Sequence, residues 1–332
     1  MVTVAILGGG FMGAAHAANY KALGERVRVK TVASRTADRA ARVAKVVGAE
    51  VTRDLDAAIR DPAVDAVDIC LPTPLHREYA ERALAAGKSV FLEKPNALTI
   101  EDADAIVAAA SQSNAVFMVG MVLRFWPEYA ELQRLVATGK LGRPRAVSTF
   151  RLSPPADWND WMADRSQSGG AAVDLMIHDL DQMNWLLGTP RSVYASEPTP
   201  GHLHAVVEYD GASGVAEGSM SMPRSYPFSS SIRVLCENAV AEYGFSAAPV
   251  EGEGNIGASS SARGLRIFPV EGELEIVPVE SADPWGPELK EFVSCVEQGR
   301  QPAQGTGEQA RLALRVSLAA ARSLQSGKPE AI

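Results

Sequence analysis

Apolar and polar residues follow two alternating periodicities over about the first 120 residues of the chain. Short apolar runs bounded by turn residues are typical of buried strands, and Ala-rich runs with a 3.6-residue period are typical of helices. The predicted strands are Val2–Leu7, Val27–Ala33, Ala66–Leu71, Ser89–Leu92 and Val116–Val119, with a weak one at 50–52. The predicted helices are Ala14–Leu23, Ala37–Val47, Leu55–Arg60, Leu75–Ala86 and Ile100–Ser111. This alternation predicts a parallel sheet with helices on both faces.

Beyond this region the pattern changes to a series of half-apolar strands with few helices between them. Helices are predicted at Pro127–Thr138 and 171–187, and a strand at Arg145–Leu152. Further strands are predicted at Leu203–Tyr209, Gly214–Ser221, Ser230–Cys236, Val240–Phe245, Leu265–Pro269 and Leu274–Val277, followed by helices at Pro287–Gln298 and Glu308–Leu324. Such a series predicts an antiparallel or mixed sheet.

The predicted fold class is therefore α/β, with two domains. Residues 1–121 form a doubly wound Rossmann domain, and residues 122–332 form an α+β domain with a large open mixed or antiparallel sheet. The C-terminal helix is a candidate to pack back on the first domain. Because open apolar sheet faces are rarely left to solvent, the second domain also predicts a homo-oligomer, a dimer or a tetramer.

A glycine motif follows the first predicted strand directly. The residues are Gly8, Gly10 and Gly13 in the spacing G-x-G-x-x-G, with Phe11 and Met12 between the last two. In a dinucleotide fold the first glycine allows the tight turn, the second lets the backbone approach the pyrophosphate, and the third lets helix and strand pack closely. The motif alone is weak, but a strand precedes it and a helix follows it, so it predicts a dinucleotide site.

Composition excludes several classes of protein. The net charge is −8, whereas a nucleic-acid-binding protein presents a basic face. No apolar run approaches the roughly 20 residues of a membrane span, and the first strand starts too near Met1 to leave room for a signal peptide. The three cysteines, Cys70, Cys236 and Cys295, are far apart and predict free thiols rather than disulfides or a metal cluster. A cytoplasmic protein without a metal is the prediction.

Two further segments carry candidate chemistry. Lys94, in Glu93-Lys94-Pro95, follows a buried strand at the carboxyl end of the parallel sheet, where ligands bind in open α/β folds. Asp174 and His178 are four residues apart, so they share one face of the predicted helix, and a histidine beside a carboxylate is a proton-transfer pair. A solvated lysine and a buried structural His–Asp pair are the plainer interpretations. A metal site that adds Asp179 or Asp181 to the pair is a weaker alternative.

The order and spacing of these motifs resemble the Gfo/Idh/MocA family, named for glucose–fructose oxidoreductase, inositol dehydrogenase and rhizopine catabolism. The likeness covers about residues 1–190. The segments that carry it are Gly8–Gly13 with His16, Pro72-Thr73-Pro74-Leu75-His76, Glu93-Lys94-Pro95, Gly169-Gly170 leading to Asp174 and His178, and, more weakly, Arg124-Phe125-x-Pro127. The chain departs from the family where Thr73-Pro74-Leu75 precedes His76, since Pro-Asn is common there, which puts a side-chain amide contact to the cofactor in doubt.

The resemblance implies roles for individual residues. Lys94 hydrogen-bonds the reacting oxygen near the nicotinamide, His178 is the general acid/base, and Asp174 orients the histidine or a neighbouring hydroxyl. Lys94, Asp174 and His178 are thus the expected catalytic residues, and they also contact substrate together with Arg124, Trp158 and Trp161. The expected cofactor-binding residues are Gly8, Gly10, Phe11, Met12, Gly13, Ser34, Arg35, Thr36, Arg39, Leu71, Pro72, Thr73, His76, Glu93, Lys94 and Arg124.

Residues after the second strand bear on the choice between NAD and NADP. An acidic residue about 20 positions beyond the glycines binds the ribose hydroxyls of NAD. Here Ser34, Arg35, Thr36 and Arg39 occupy this region, and Asp38 is its first carboxylate. Because arginine pairs well with phosphate, the pattern favours NADP(H), although Arg35 stacked on adenine would accept NAD(H) as well.

The implied activity is hydride transfer between a nicotinamide cofactor and a hydroxyl or keto carbon of a sugar or cyclic polyol, as in an inositol dehydrogenase. Trp158 and Trp161 lie among Asp and Asn residues and are candidates to cover a sugar ring, or simply anchors for a long loop. Two alternatives remain: an NAD-dependent glycosidase of the same family and a non-catalytic dinucleotide-binding sensor. Retention of Lys94, Asp174 and His178 speaks against the sensor.

Overall fold

The computed structural model describes residues 1–155, 160–247, 264–280 and 283–332. The described residues fall into two compact units. The first contains residues 1–126 and 283–311, and the second contains the described part of 127–280 together with 312–332. The chain therefore returns to the first unit after the second sheet, whereas the sequence pattern predicted one boundary between residues 121 and 122.

The first unit is built on a six-stranded parallel sheet with the strand order 3-2-1-4-5-6. This is the order of the doubly wound dinucleotide fold, so this part of the prediction is confirmed. Its strands are β1 (Val2–Leu7), β2 (Val27–Ala33), β3 (Glu50–Thr52), β4 (Ala66–Ile69), β5 (Ser89–Leu92) and β6 (Phe117–Val119). Its helices are α1 (Phe11–Ala22), α2 (Ala37–Val47), α3 (Leu55–Arg60), α4 (His76–Ala85), α5 (Ile100–Gln112) and, late in the chain, Gly286–Gln298, which becomes α10 in chain order.

Burial explains why the central strands are continuous apolar runs rather than alternating ones. Every residue of β4 and β5 is buried because helices cover both faces of a parallel sheet. The core beneath β1 also includes Leu289, Phe292 and Val293 of α10. Their packing brings the late helix back to the first unit, and it is a contact between segments far apart in sequence.

The second unit is built on a nine-stranded mixed sheet. Its strands are β7 (Pro144–Leu152), β8 (Ser192–Thr199), β9 (His202–Tyr209), β10 (Ala212–Ser219), β11 (Phe228–Cys236), β12 (Ala239–Ala247), β13 (Leu265–Pro269), β14 (Glu275–Val277) and β15 (Glu330–Ala331), in the spatial order 14-13-12-11-7-10-9-8-15. Strands β7 and β10 pair in parallel, and the other pairs are antiparallel. The mixed sheet was predicted, but β8 and β15 were not assigned from the sequence.

Helices of the second unit are α6 (Pro127–Ala137), the short α7 (Asp160–Ala163) and α8 (Arg165–Ser168), and α9 (Ile177–Leu187). The last helix, α11 (Gly307–Ser326), begins in the first unit and continues in the second. The predicted single helix over 171–187 is interrupted, because Ala171–Leu175 forms a π-helical turn before α9 begins. Its wider hydrogen bond runs from Met176 N to Ala171 O at 2.9 Å.

Candidate active site

The glycine turn after β1 has the geometry that close approach of a phosphate requires. Gly8 has φ +121°, and a Cβ placed there would lie 2.3 Å from the carbonyl oxygen of Cys70. A Cβ placed on Gly13 would lie 2.2 Å from the carbonyl oxygen of Gly8, so only glycine lets α1 pack this closely. A Cβ on Gly10 would meet no atom within 4 Å. Protein atoms therefore fill the space beside Gly8 and Gly13, whereas the space beside Gly10 is free of atoms from the described residues.

Helix α1 begins at this opening without a side-chain cap. Gly10 is its N-cap residue, no side chain hydrogen-bonds the first amides, and the first turn carries no acidic residue. An uncapped helix N-terminus offers N–H donors and partial positive charge to an anion. The open space at Gly10 and these donors fit the pyrophosphate of a dinucleotide. The ring of Phe11 packs edge-on against Trp285, with centroids 5.7 Å apart.

The end of β2 presents the residues that the sequence pattern connected with a 2′-phosphate. Ser34 is buried, and its hydroxyl accepts a hydrogen bond from Thr36 N at 3.3 Å. Arg35 and Thr36 are exposed, and Arg39 is half-buried in the first turn of α2. Thr36 is the N-cap residue of α2, and its side chain makes no capping hydrogen bond. An exposed arginine thus lies next to a second uncapped helix start.

Backbone hydrogen bonds align the turns that follow the central strands. Cys70 N donates to Leu7 O at 2.8 Å, and Glu93 N donates to Ile69 O at 3.1 Å. Gly120 N donates to Leu92 O at 2.8 Å. The glycine turn after β1 and the Glu93–Lys94 turn after β5 therefore lie at one carboxyl edge of the sheet, with the end of β4 between them.

His76 holds the turn that contains Lys94. Its Nδ1 lies 2.9 Å from Pro95 O, and its Nε2 lies 2.8 Å from Leu71 O. The ring is 1% exposed, and burial lowers the pKa of His76 despite the two carbonyl groups. His76 therefore connects the segment after β4 with Pro95, and its ring nitrogens face backbone rather than an open cleft. Lys94 is half-buried, as are Leu71 and Pro72, and Thr73 is buried.

A buried group of ionisable side chains lies behind the same turn. His16 Nδ1 lies 2.8 Å from Asp68 Oδ2, and His16 Nε2 lies 3.2 Å from Glu93 Oε1. The second contact is a close ion pair rather than a well-directed hydrogen bond. Cys70 Sγ lies 3.3 Å from both His16 Nδ1 and Asp68 Oδ1. The sequence analysis singled out His16 only as part of a motif and did not single out Asp68.

Glu288 of α10 adds a further carboxyl group to this set. It is fully buried, and neither carboxyl oxygen has a hydrogen-bond partner among the described residues. Burial raises the pKa of Glu288 well above its ordinary value, and the nearby Glu93 raises it further. Burial opposes the charged form of His16, but the contacts with Asp68 and Cys70 together outweigh it, so the pKa of His16 also lies well above its ordinary value.

Asp174 and His178 lie on either side of the junction between the π-helical turn and α9. Asp174 is 6% exposed, and His178 is half-buried. The next residue, Asp179, is bound in a fork by Arg151 of β7, with Nε to Oδ2 at 2.8 Å and the second nitrogen to Oδ1 at 3.2 Å. This buried pair ties the start of α9 to the sheet. Single-turn π-helical insertions are frequent at functional sites.

The weaker metal alternative at α9 has little support in the described part of the chain. Groups of candidate ligands whose atoms lie within 4.8 Å of one another are found at His16/Asp68/Cys70, His16/Glu93/Glu288 and His202/His204/Glu217. None of the three includes Asp174 or His178, and Asp179 is engaged by Arg151.

Three predicted substrate-contact residues have different surroundings. Arg124 is 5% exposed and donates to Gln304 Oε1 at 2.7 Å, so its guanidinium is part of a buried contact within the first unit. Trp161 is half-buried on the short helix α7. Trp158 lies outside the described residues.

Comparisons with known proteins identify the family. A model of an oxidoreductase family with an NAD-binding Rossmann fold (GFO_IDH_MocA) matches residues 2–121, and a model of the GFO/IDH/MocA C-terminal domain matches residues 129–242. The chain belongs to the Gfo/Idh/MocA family. Inositol 2-dehydrogenase of Rhizobium meliloti (strain 1021) is 30% identical over 97% of this chain and 97% of its own length. The scyllo-inositol 2-dehydrogenase (NAD(+)) of Bacillus subtilis (strain 168) is 27% identical over 99% and 95%.

A solved structure supports the fold assignment. Levoglucosan dehydrogenase, in complex with NADH and levoglucosan, superposes with a TM-score of 0.83 at 21% identity and covers 100% of this chain and 99% of its own. At this identity the likeness concerns the fold alone. The family match makes this Gfo/Idh/MocA protein an oxidoreductase with an NAD-binding Rossmann domain. Of its described helices, none combines the length and apolar character that crossing a bilayer requires.

Proposed function

We propose that this chain is a dehydrogenase that moves a hydride between a nicotinamide cofactor and a hydroxyl-bearing carbon of a sugar or cyclic polyol. The observation that carries the proposal is the common edge of the sheet where the glycine turn opens at Gly10 and Lys94 follows β5. Relatives named for inositols support the polyol class. A lysine at this edge can contact both the nicotinamide end of the cofactor and the reacting oxygen of a substrate.

Each proposed catalytic residue has one task. His178 takes the hydroxyl proton during oxidation and returns it during reduction, a role suited to an imidazole near neutral pH. Asp174 orients the imidazole or a neighbouring hydroxyl, and its near-complete burial strengthens that contact. The Lys94 ammonium donates to the oxygen that becomes a carbonyl and stabilises its developing charge. Bound oxidised nicotinamide supplies the hydride acceptor.

We propose further that Ser34, Arg35, Thr36 and Arg39 favour NADP(H). The exposed Arg35 and the uncapped start of α2 supply positive charge and N–H donors where a 2′-phosphate needs them. The nearest carboxylate in this segment, Asp38, is exposed within the first turn of α2. Comparison of kcat/KM for NADP+ and NAD+ tests the preference, and a ratio below one contradicts it.

The assay that tests the function follows nicotinamide absorbance with NAD+ and NADP+ against inositols, aldoses, anhydro sugars and aryl glycosides. We expect steady turnover with one polyol or sugar class. In Lys94→Ala and His178→Ala, turnover falls by about 10²–10⁴-fold, the usual scale for loss of an acid/base group. Cofactor binding, measured by nicotinamide fluorescence, survives in both variants. Aryl glycoside cleavage without net cofactor turnover would instead support the glycosidase alternative.

We propose that the outward side of the nine-stranded sheet mediates homo-oligomerisation. Tyr194, Val215 and Leu235 are 43%, 46% and 47% exposed. Pairing of Tyr194 and Val215 with the same residue of β9, Val206, places them in one cross-strand row on one face. Exposed apolar rows of this kind are typical of protein interfaces. Light scattering after size exclusion tests this: a dimer or tetramer in wild type, dissociated by Val215→Asp, is expected, and a wild-type monomer contradicts it.

A further inference from the structure

A continuous line of contacts connects a buried aspartate with the backbone of Lys94. Asp68 Oδ2 lies 2.8 Å from His16 Nδ1, and His16 Nε2 lies 3.2 Å from Glu93 Oε1. The other oxygen of the same carboxylate, Glu93 Oε2, accepts a hydrogen bond from Lys94 N at 3.0 Å. All of these groups belong to the first unit.

We infer that His16, oriented by Asp68, is a positioning residue that sets the place of Lys94 through the carboxylate of Glu93. This inference rests on the proposed role of Lys94 as the residue that contacts the reacting oxygen. His16 itself is fully buried and is assigned no contact with substrate or cofactor. Its effect on the reaction passes through the backbone amide of the neighbouring turn.

The contacts hold the Glu93 carboxylate from several sides. A Cβ on Gly120 would lie 3.1 Å from Glu93 Oε1, so this side is sterically closed. The imidazole ring packs edge-on against Phe91, with centroids 5.3 Å apart, which limits its rotation. In a site of low dielectric the contacts of the His16 ring nitrogens with the carboxyl groups of Asp68 and Glu93 are much stronger than the same contacts in water. The Glu93 carboxylate thus has one favoured orientation, in which it receives the amide of Lys94.

On the opposite side of the turn, His76 contacts Pro95 O at 2.9 Å. Lys94 thus lies between two points that histidines hold in place: His16 contacts the Glu93 carboxylate, and His76 contacts the Pro95 carbonyl. A displacement of about 1 Å of a reacting group can cost about 10²-fold in rate. Loss of either point is therefore expected to lower kcat more than it weakens cofactor binding, since the glycine turn binds the phosphates separately.

A metal ion is the competing use of the same side chains. His16, Glu93 and the unpartnered Glu288 bring ligand atoms within 4.8 Å of one another, and the contact of Asp68 with the other ring nitrogen resembles the outer shell of a metal site. Elemental analysis of the purified protein distinguishes the two, and one tightly held divalent ion per chain would overturn the positioning role.

The test uses two amides that each replace one ring nitrogen of His16. The side-chain nitrogen of Gln extends about as far as Nε2 and can still reach Glu93, whereas that of Asn replaces Nδ1 and reaches only Asp68. We expect His16→Asn to lower kcat by about 10–100-fold and His16→Gln to restore most of that loss. Cys70→Ala is the control, because Cys70 contacts His16 and Asp68 but lies outside the connection to Lys94. It should change kcat by less than about 3-fold.

A double-variant comparison separates positioning from a general loss of structure. If His16 acts through Lys94, the combination of His16→Asn with Lys94→Ala is no slower than Lys94→Ala alone, because coupled residues are not additive. Multiplied losses would overturn the inference while leaving the proposed function intact. A Lys94→Ala variant with wild-type kcat would instead refute the proposed role of Lys94.

A readout without activity completes the test. The Lys94 amide donates to Glu93, so its hydrogen exchange, measured by mass spectrometry on the peptide that contains the Glu93–Lys94 turn, should accelerate at least 10-fold in His16→Asn but not in Cys70→Ala. Unchanged exchange in a folded His16→Asn protein would overturn the inference. If His16→Asn fails to fold, the same exchange and kcat measurements on Asp68→Asn decide the question, and unchanged values in that variant would contradict the inference.

Discussion

Two glycines of one turn, substituted separately by alanine, test the cofactor site in a way that separates folding from binding. At Gly13, the new Cβ would lie 2.2 Å from Gly8 O and 3.6 Å from Ile6 Cγ2. Relief to an ordinary contact of about 3.4 Å requires a shift of about 1.2 Å between α1 and the turn, and overpacking of this kind costs about 1–3 kcal/mol. At Gly10, the new methyl meets no protein atom within 4 Å, and φ of −82° suits alanine.

Unfolding of the cofactor-free proteins and cofactor Kd are then measured together. We expect Gly13→Ala to lose both stability and affinity. Gly10→Ala should lose only about 1 kcal/mol of stability or less, because alanine is a poorer helix N-cap residue than glycine. It should yet bind NAD(P)H about 10–100-fold more weakly, because its methyl enters the space assigned to the pyrophosphate and each lost charged hydrogen bond is worth about 1.5–3 kcal/mol. Wild-type affinity in Gly10→Ala would refute the assignment of that space to phosphate.

Three further changes test separate parts of the account. Arg35→Glu should lower kcat/KM for NADP+ by about 10–100-fold and leave the value for NAD+ nearly unchanged, and an equal loss with both cofactors would contradict a 2′-phosphate contact. Arg151→Ala leaves a carboxylate buried without its partner and should cost about 3–5 kcal/mol in urea unfolding, whereas Arg165→Ala, which removes an exposed pair, should cost about 0–1 kcal/mol. The pKa of Glu288 is higher in the folded state than in the unfolded chain, which releases this proton above about pH 4.5, so the free energy of unfolding falls as pH rises from there. Glu288→Gln should flatten that decline. An unchanged slope of the unfolding free energy against pH would contradict the raised pKa.

Local patterns along the sequence were sufficient to predict the parallel sheet of the first unit. Buried parallel strands are continuous apolar runs, and the ranges of β1, β2 and β5 agree residue by residue with the prediction. The glycine spacing predicted the turn. The Cβ of any other residue at Gly13 would meet Gly8 and Ile6, which are close in sequence, and a Cβ at Gly8 would meet Cys70 at the end of β4, the neighbouring strand in the sheet. The strand–helix alternation predicted the parallel, doubly wound sheet, because connections in such folds are short and of one hand.

Contacts between distant segments were not predictable in the same way. Glu288 is almost 200 residues from Glu93, and nothing in its amphipathic helix pattern indicates that its carboxyl group is buried. The ring nitrogens of His76 face two backbone carbonyls, which the sequence did not indicate, and its contact with the cofactor stays a prediction. The π-helical turn before α9 was missed because the apolar spacing around Asp174 is the same as in an ordinary helix. These features depend on which groups the buried polar side chains contact, and a single sequence does not show those contacts.

Transfer of a deuterium label tests the central claim, direct hydride transfer from a carbinol carbon, most directly. The chain would be incubated with NADP+ or NAD+ and inositols or hexoses that carry deuterium on their carbinol carbons, and the released cofactor would be analysed by mass spectrometry. One deuterium at nicotinamide C4 is expected for each substrate molecule oxidised, and in His178→Ala the label should transfer about 10²–10⁴-fold more slowly. Reduced cofactor without label, or product formed while the cofactor pool remains oxidised and unlabelled, would contradict it.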